Sequence, residues 1–188
     1  MINKKKLLTV VCKNRSSYNR DFVWENAQDL EHLPTLHRST NSDIKLLHHV
    51  KTDGLGLVYD ELVFSAKRRF GILTFRSFGV RRIVTDYKLV QIESFPRLGI
   101  QYRLTSGVEE DPQDCGKSIL SDQVEIFWFS FCKILRPLLK KRIQLHARRQ
   151  NQEDESYRER RADLKQRGLN IPFSILNKTL FEEFFEIR

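Results

Sequence analysis

Cysteine is scarce in this chain. Cys12, Cys115 and Cys132 are its three cysteines, and they lie far apart with no Cys-x2-Cys or Cys-x-His spacing. An odd count of dispersed thiols excludes a disulfide framework and predicts reduced cysteines. Cys132, inside Phe131-Cys132-Lys133-Ile134, reads as a small buried hydrophobe rather than a catalytic thiol. Long apolar runs are also missing, since none approaches the roughly 18 residues needed to span a bilayer. The basic start Lys4-Lys5-Lys6 precedes a short apolar stretch that soon meets Lys13 and Arg15, which is not the pattern of a signal peptide. A cytoplasmic protein is expected. No period of 20–50 residues repeats, which excludes a solenoid.

The chain's 188 residues are enough for one domain with a substantial core. Hydrophobic residues make up 40% and charged residues 30%, a balance that fits neither wholesale disorder nor a membrane protein. Lys and Arg exceed Asp and Glu by nine, giving a formal charge of +9.

Residues 6–14, with Thr9, Val10 and Val11, predict a strand. Ser16 and Ser17 are placed to open a helical stretch whose stripe is Phe22, Val23, Ala27, Leu30 and Leu33, interrupted at Pro34. Six β-rich runs follow, at 44–50, 55–66, 72–78, 83–92, 99–104 and 119–129. Asp53-Gly54, Gly71, Gly79, Pro96 and the stretch 107–116 supply turn signals between them. Helical periodicity returns from Phe131 to about Gly168. There Ile134, Leu135, Leu138, Leu139, Ile143 and Leu145 predict a broad apolar face, Pro137 a first helical turn and Gly168 a stop.

Strand, helical pair, six strands, long helix is the order of an α+β helix-grip fold. In that fold a curved antiparallel sheet wraps a long C-terminal helix around an apolar cavity. The topology resembles START-like ligand-binding domains, which implies a pocket and not a particular ligand. Residues 1–170 are expected to form this domain. Residues 171–188 are expected to form an amphipathic tail, with Phe181, Phe184, Phe185 and Ile187 beside Glu182, Glu183 and Glu186. Such an aromatic tail suits packing on the body or on a second copy in a homo-oligomer.

One segment carries chemistry: Trp24-Glu25-Asn26-Ala27-Gln28-Asp29-Leu30-Glu31-His32-Leu33-Pro34-Thr35-Leu36-His37. A helix places Asp29 and His32 one turn apart on one side, and Pro34 allows a bend that swings His37 back toward His32. Two imidazoles and a third ligand from elsewhere make the facial triad of non-haem Fe(II) sites. A pair of ordinary helix-terminal histidines is the plain alternative.

The spacing Glu-x3-Asp-x2-His-x4-His, with Trp before and Asn after the Glu, resembles the mononuclear-iron motif of Rieske-type aromatic-ring-hydroxylating oxygenases. The catalytic domain of that family is itself a helix grip. The resemblance implies His32 and His37 as Fe(II) ligands, Asp29 as hydrogen-bond partner of a ligand and link to the electron donor, and Asn26 near the site. It implies a third, carboxylate ligand in the C-terminal helix. Within Gln150-Asn151-Gln152-Glu153-Asp154-Glu155, Asp154 matches best and Glu153 and Glu155 are reserves.

The chain departs from that family in one respect. It has neither the Cys-x-His nor the Cys-x2-His pair that holds a Rieske cluster. The implied function is an iron oxygenase-like domain acting on an apolar or aromatic small molecule, with electrons from a separate ferredoxin or Rieske-type donor. A non-catalytic START-like module that binds or transports a hydrophobic small molecule is the alternative. His48 and His49, adjacent in a strand run, are expected on opposite faces, and His146 lies about two turns before Asp154.

Seven Lys or Arg lie between Lys133 and Arg149, a density that nucleic acid or an anionic membrane could use. They alternate with the apolar stripe and with acids at helical spacing, as on a solvated helix, and no nucleic-acid-binding signature accompanies them. Neither nucleic acid nor membrane is expected as a partner. A docking face for an acidic electron donor accounts for the same charge.

Overall fold

The computed structural model describes residues 5–28, 41–50, 61–70 and 73–168. Seven strands form a single sheet: β1 (Lys5–Ser16), β2 (Asn41–Val50), β3 (Glu61–Phe70), β4 (Leu73–Thr85), β5 (Lys88–Phe95), β6 (Ile100–Asp111) and β7 (Asp114–Trp128). Their order is β1-β7-β6-β5-β4-β3-β2, and every neighbouring pair is antiparallel. Helix α1 (Arg20–Gln28) follows β1, and α2 (Arg136–Gln166) closes the described chain after a 3-10 segment, Ser130–Leu135. A curved antiparallel sheet with a long C-terminal helix is the helix-grip architecture, as the element order predicts.

Alternation along the strands sets the inner face. On β4 and β5, Ser77, Arg81, Ile83, Leu89, Gln91, Glu93 and Phe95 are buried, while Val80, Val84 and Ile92 are exposed. Val23 and Trp24 of α1 pack on this face against Leu62, Ile83, Leu89, Val108 and Leu120. Helix α1 starts later than the serines suggest. Asn19 caps it, its Oδ1 accepting the Phe22 N–H at 2.9 Å.

Two turns are also displaced from their expected places. Gly79 lies within β4 and does not end it, pairing with Phe64 of β3 and Glu93 of β5. The Phe64 ring lies over Gly79, so close that a Cβ there would meet Cε1 at 2.8 Å. That glycine serves a ring and not a turn. The real β4–β5 turn is Asp86-Tyr87, with Tyr87 at φ 62°. Likewise β6 and β7 run on to a tight turn at Pro112-Gln113, because the acids of the expected loop remain in the ladder.

Pro137 stands in the first turn of α2, and Gly168 at φ 76° follows its end, both as the sequence implies. The apolar residues of α2 do not form one covered face. Leu139 and Ile143 are half-buried, but Leu138 is 58% and Leu145 54% exposed, and Ile134 just before the helix is 84% exposed. Leu138 and Leu145 are seven residues apart and so share a stripe, and Ile143 lies about 140° from the first of them. Cys132 is buried, as expected of a small apolar side chain. Among the described residues all cysteines are free thiols. The tail 171–188 lies outside the described residues.

Candidate functional site

Asp29, His32 and His37 lie outside the described residues. What is described is the frame around the point where the chain leaves α1 to enter that segment. Arg161 of α2 donates from Nη1 to Asn26 Oδ1 at 2.6 Å, and Asn26 Nδ2 donates to the Phe22 carbonyl at 2.7 Å. From the sheet, Arg81 donates from Nη1 to the Ala27 carbonyl at 3.3 Å. A cation at the carbonyl end of a helix is where the helix dipole favours it. Lys165 adds a contact to Glu25 at 3.5 Å. Asn26, a predicted site residue, is thus buried between α1 and α2.

Gln28, next to Asp29, is 1% exposed, and among the described residues neither its Oε1 nor its Nε2 has a hydrogen-bond partner. Asn151 Oδ1 and Arg158 Nε of α2 are likewise buried and unpaired. Residues 151, 154, 158, 161 and 165 recur at helical spacing on one stripe of α2.

The three candidate acids of α2 are in different places. Glu155 accepts the Ser17 N–H at 2.9 Å and the Ser16 hydroxyl at 3.2 Å, and pairs with Arg158 at 3.1 Å, so it ties the end of β1 to the helix. Glu153 pairs with Arg149 at 3.6 Å. Asp154 is half-buried and close enough to Asp122 of β7 for its charge to act there. Burial, and then the neighbouring Asp154 charge, push the Asp122 carboxyl above the usual range, while a hydrogen bond from Ser106 and the cations Arg158 and Arg81 act in the opposite sense.

Strand register extends this polar zone along the inner face. Asp122 pairs with Ser106, Gln91 with Arg81, and Glu93 with Tyr102, on adjacent rungs of four strands. Arg68 grips Glu93 with two bonds of 2.7 Å, and Tyr102 donates to the same carboxylate at 2.5 Å. Ser77 donates to it as well. Burial alone raises the Glu93 carboxyl, but Arg68 and these hydrogen bonds outweigh it and hold it below the usual range. Gln91 Nε2 donates to Glu93 at 3.0 Å, and its Oε1 accepts from Arg81 at 2.9 Å, so a continuous chain of polar contacts runs from Arg68 to the end of α1.

Asp122, Arg81, Glu93 and Gln28 are not anticipated by the motif. Asp122 leaves one trace in the sequence: it stands at the inward parity of β7, between Leu120 and Val124. His48 is exposed, and the register pairs His49 with Leu62. His146 is exposed on α2.

No family model and no curated protein matches the chain. Solved structures do. A START superfamily protein from Mycobacterium smegmatis superimposes with a TM-score of 0.65 at 9% identity, covering 81% of this chain and 97% of that one. The Zhui aromatase/cyclase from Streptomyces sp. R1128 gives 0.59 at 12% identity, over 82% and 95%. Dicamba monooxygenase bound to dicamba gives 0.60 at 15% identity, over 96% of this chain but 60% of that one. At such identities the likeness is one of fold: the chain has the START-like helix-grip fold, on which an aromatase/cyclase and a monooxygenase are both built.

Proposed function

We propose that this chain is a mononuclear non-haem iron oxygenase-like domain that acts on an apolar or aromatic small molecule, with electrons delivered by a separate ferredoxin or Rieske-type protein. One observation carries the reading. Asp154 shares the inward stripe of α2 with Arg161, and Arg161 holds Asn26, three residues before Asp29 and six before His32. The end of α1 is fastened to the helix that carries the candidate third ligand, two turns or about 10 Å along it.

The donor set fits a divalent cation. Two neutral imidazoles and one carboxylate suit Fe(II), and the mutual repulsion of Asp154 and Asp122 is of the kind a cation relieves. His32, His37 and Asp154 would hold it. Iron bound there would supply oxygen activation. Asp29 orients a ligand imidazole and links the donor to the site, and Asn26 fixes the backbone that leads to it. Inward apolar residues such as Leu104 and Val124, paired on adjacent strands, suit an apolar substrate.

The second reading, a carrier of hydrophobic molecules without catalysis, draws on the apolar cluster of Val23, Leu62, Ile83 and Leu89 on the same inner face. Metal analysis of protein purified without added metal or chelator separates the two. Stoichiometric iron that is lost in His32→Ala, His37→Ala and Asp154→Ala is the expected result. Metal-free protein retaining a hydrophobic ligand overturns the proposal in favour of the carrier.

A further inference from the structure

From Ile126 to Gln152 the sequence contains no Asp or Glu, yet between Lys133 and Arg149 it carries seven Lys or Arg. The acids of α2 are confined to its second half, at Glu153, Asp154, Glu155, Glu159 and Asp163. The helix is therefore divided, its first half purely cationic and its second mixed.

That cationic half also exposes its apolar residues. Ile134 is 84% exposed, Leu138 58% and Leu145 54%. Leu138 and Leu145 share the outward stripe, with Lys141, Arg142 and Arg149 within about 60° of it by helical geometry. From Leu138 to Leu145 the stripe runs about 10 Å along the helix, and Ile134 lies in the 3-10 segment just before it. Leucines set among cations, with the first acid of the helix at Glu153 beside Arg149, match an interface that offers both negative charge and apolar depth.

We propose that this face is a docking surface for an anionic lipid bilayer, with Ile134, Leu138 and Leu145 entering the headgroup boundary and Lys141, Arg142 and Arg149 meeting lipid phosphates. The face is convex and one helix wide, so it offers a folded partner little shape complementarity, whereas a fluid headgroup layer requires none. No helix among the described residues is long and apolar enough to cross a membrane, so the attachment is peripheral. The outward leucines, visible only in the structure, are what distinguish this face from the merely solvated one that the sequence pattern suggests.

The test is co-sedimentation of the full chain with phosphatidylcholine vesicles containing phosphatidylglycerol, against pure phosphatidylcholine vesicles. Binding is expected to the first and not the second, and to collapse in about 1 M salt, where the screening length is about 3 Å. Lys141→Gln, Arg142→Gln and Arg149→Gln together are expected to weaken it about a hundredfold, at about one kcal/mol for each surface cation. Leu138→Ser with Leu145→Ser is expected to weaken it about tenfold with an unchanged melting temperature, because both side chains are already in water. No binding, equal binding to neutral vesicles, or an unaffected triple variant overturns the proposal. A dimer that the leucine variant dissolves in sedimentation overturns it in favour of a second copy. Vesicle binding is read without iron, so this test stands apart from the metal analysis.

Discussion

Arg161 Nη1 and Asn26 Oδ1 lie 2.6 Å apart and join α2 to α1 across 135 residues of sequence. Asn26 is 4% exposed, so the bond is shielded from competing water. A buried hydrogen bond to a charged donor contributes about 1.5–3 kcal/mol. Asn26→Ala is expected to lower stability by about that amount, and a double-mutant cycle with Arg161→Ala to return a coupling of about 1 kcal/mol or more. Urea unfolding of the four proteins measures both. Additive losses would show that the two helices are held by other means.

Glu93 is fully buried, and Arg68, Ser77 and Tyr102 all converge on its carboxylate. Removing the acid alone strands the Arg68 guanidinium, and Glu93→Ala is expected to cost about 3–5 kcal/mol. Arg68→Met with Glu93→Leu is expected to cost much less, since no buried charge remains unpaired. The same carboxylate sets an acid limit. Its folded-state pKa is lowered, so its contribution is present above the ordinary glutamate range and is lost as pH falls through that lowered value. The difference in stability between the wild type and Glu93→Gln should therefore shrink in acid. A constant difference across the titration would mean that the ion pair does not control it.

Gly79→Ala tests the Phe64 contact. A Cβ at Gly79 would lie 2.8 Å from Phe64 Cε1, in a strand interior where neither backbone can retreat without disturbing the ladder. Overpacking of this kind costs about 1–3 kcal/mol. Phe64→Leu in the same chain should recover part of the loss, whereas Phe64→Leu alone should destabilise. Thermal melts of the three variants decide it, and a neutral Gly79→Ala would place the ring elsewhere.

Local signals in the sequence located most strands and the long helix, because β-branched runs and 3.6-residue spacing act over a few neighbours, but the run read at 83–92 spans the β4–β5 turn at Asp86-Tyr87. Glycine misled where its reason was long-range. Nothing near Gly79 announces that Phe64, fifteen residues earlier, needs the space. The Leu stripe of α2 misled for a related reason: periodicity marks which residues share a face, not whether a second layer covers it. The candidate site divides in the same way. Asn26 and Asp154 enter the candidate site through a motif, whereas Asp122, Gln28 and Arg81 are placed by strand register and helix packing, which bring distant positions together.

The cations of α2 have one more consequence. Arg136 stands in the first turn, with Lys140 and Lys141 in the next, and that first turn carries no acid. Backbone N–H groups already give this end of a helix about half a positive charge, so the side chains add to what they would ideally cancel. The opening turns of α2 thus form against an unfavourable local field. Any anion that settles there relieves that field, so occupancy of the face and order of the helix rise together by mass action. The last long element of the fold is in this sense only partly self-sufficient, and its stability reports on what lies against it.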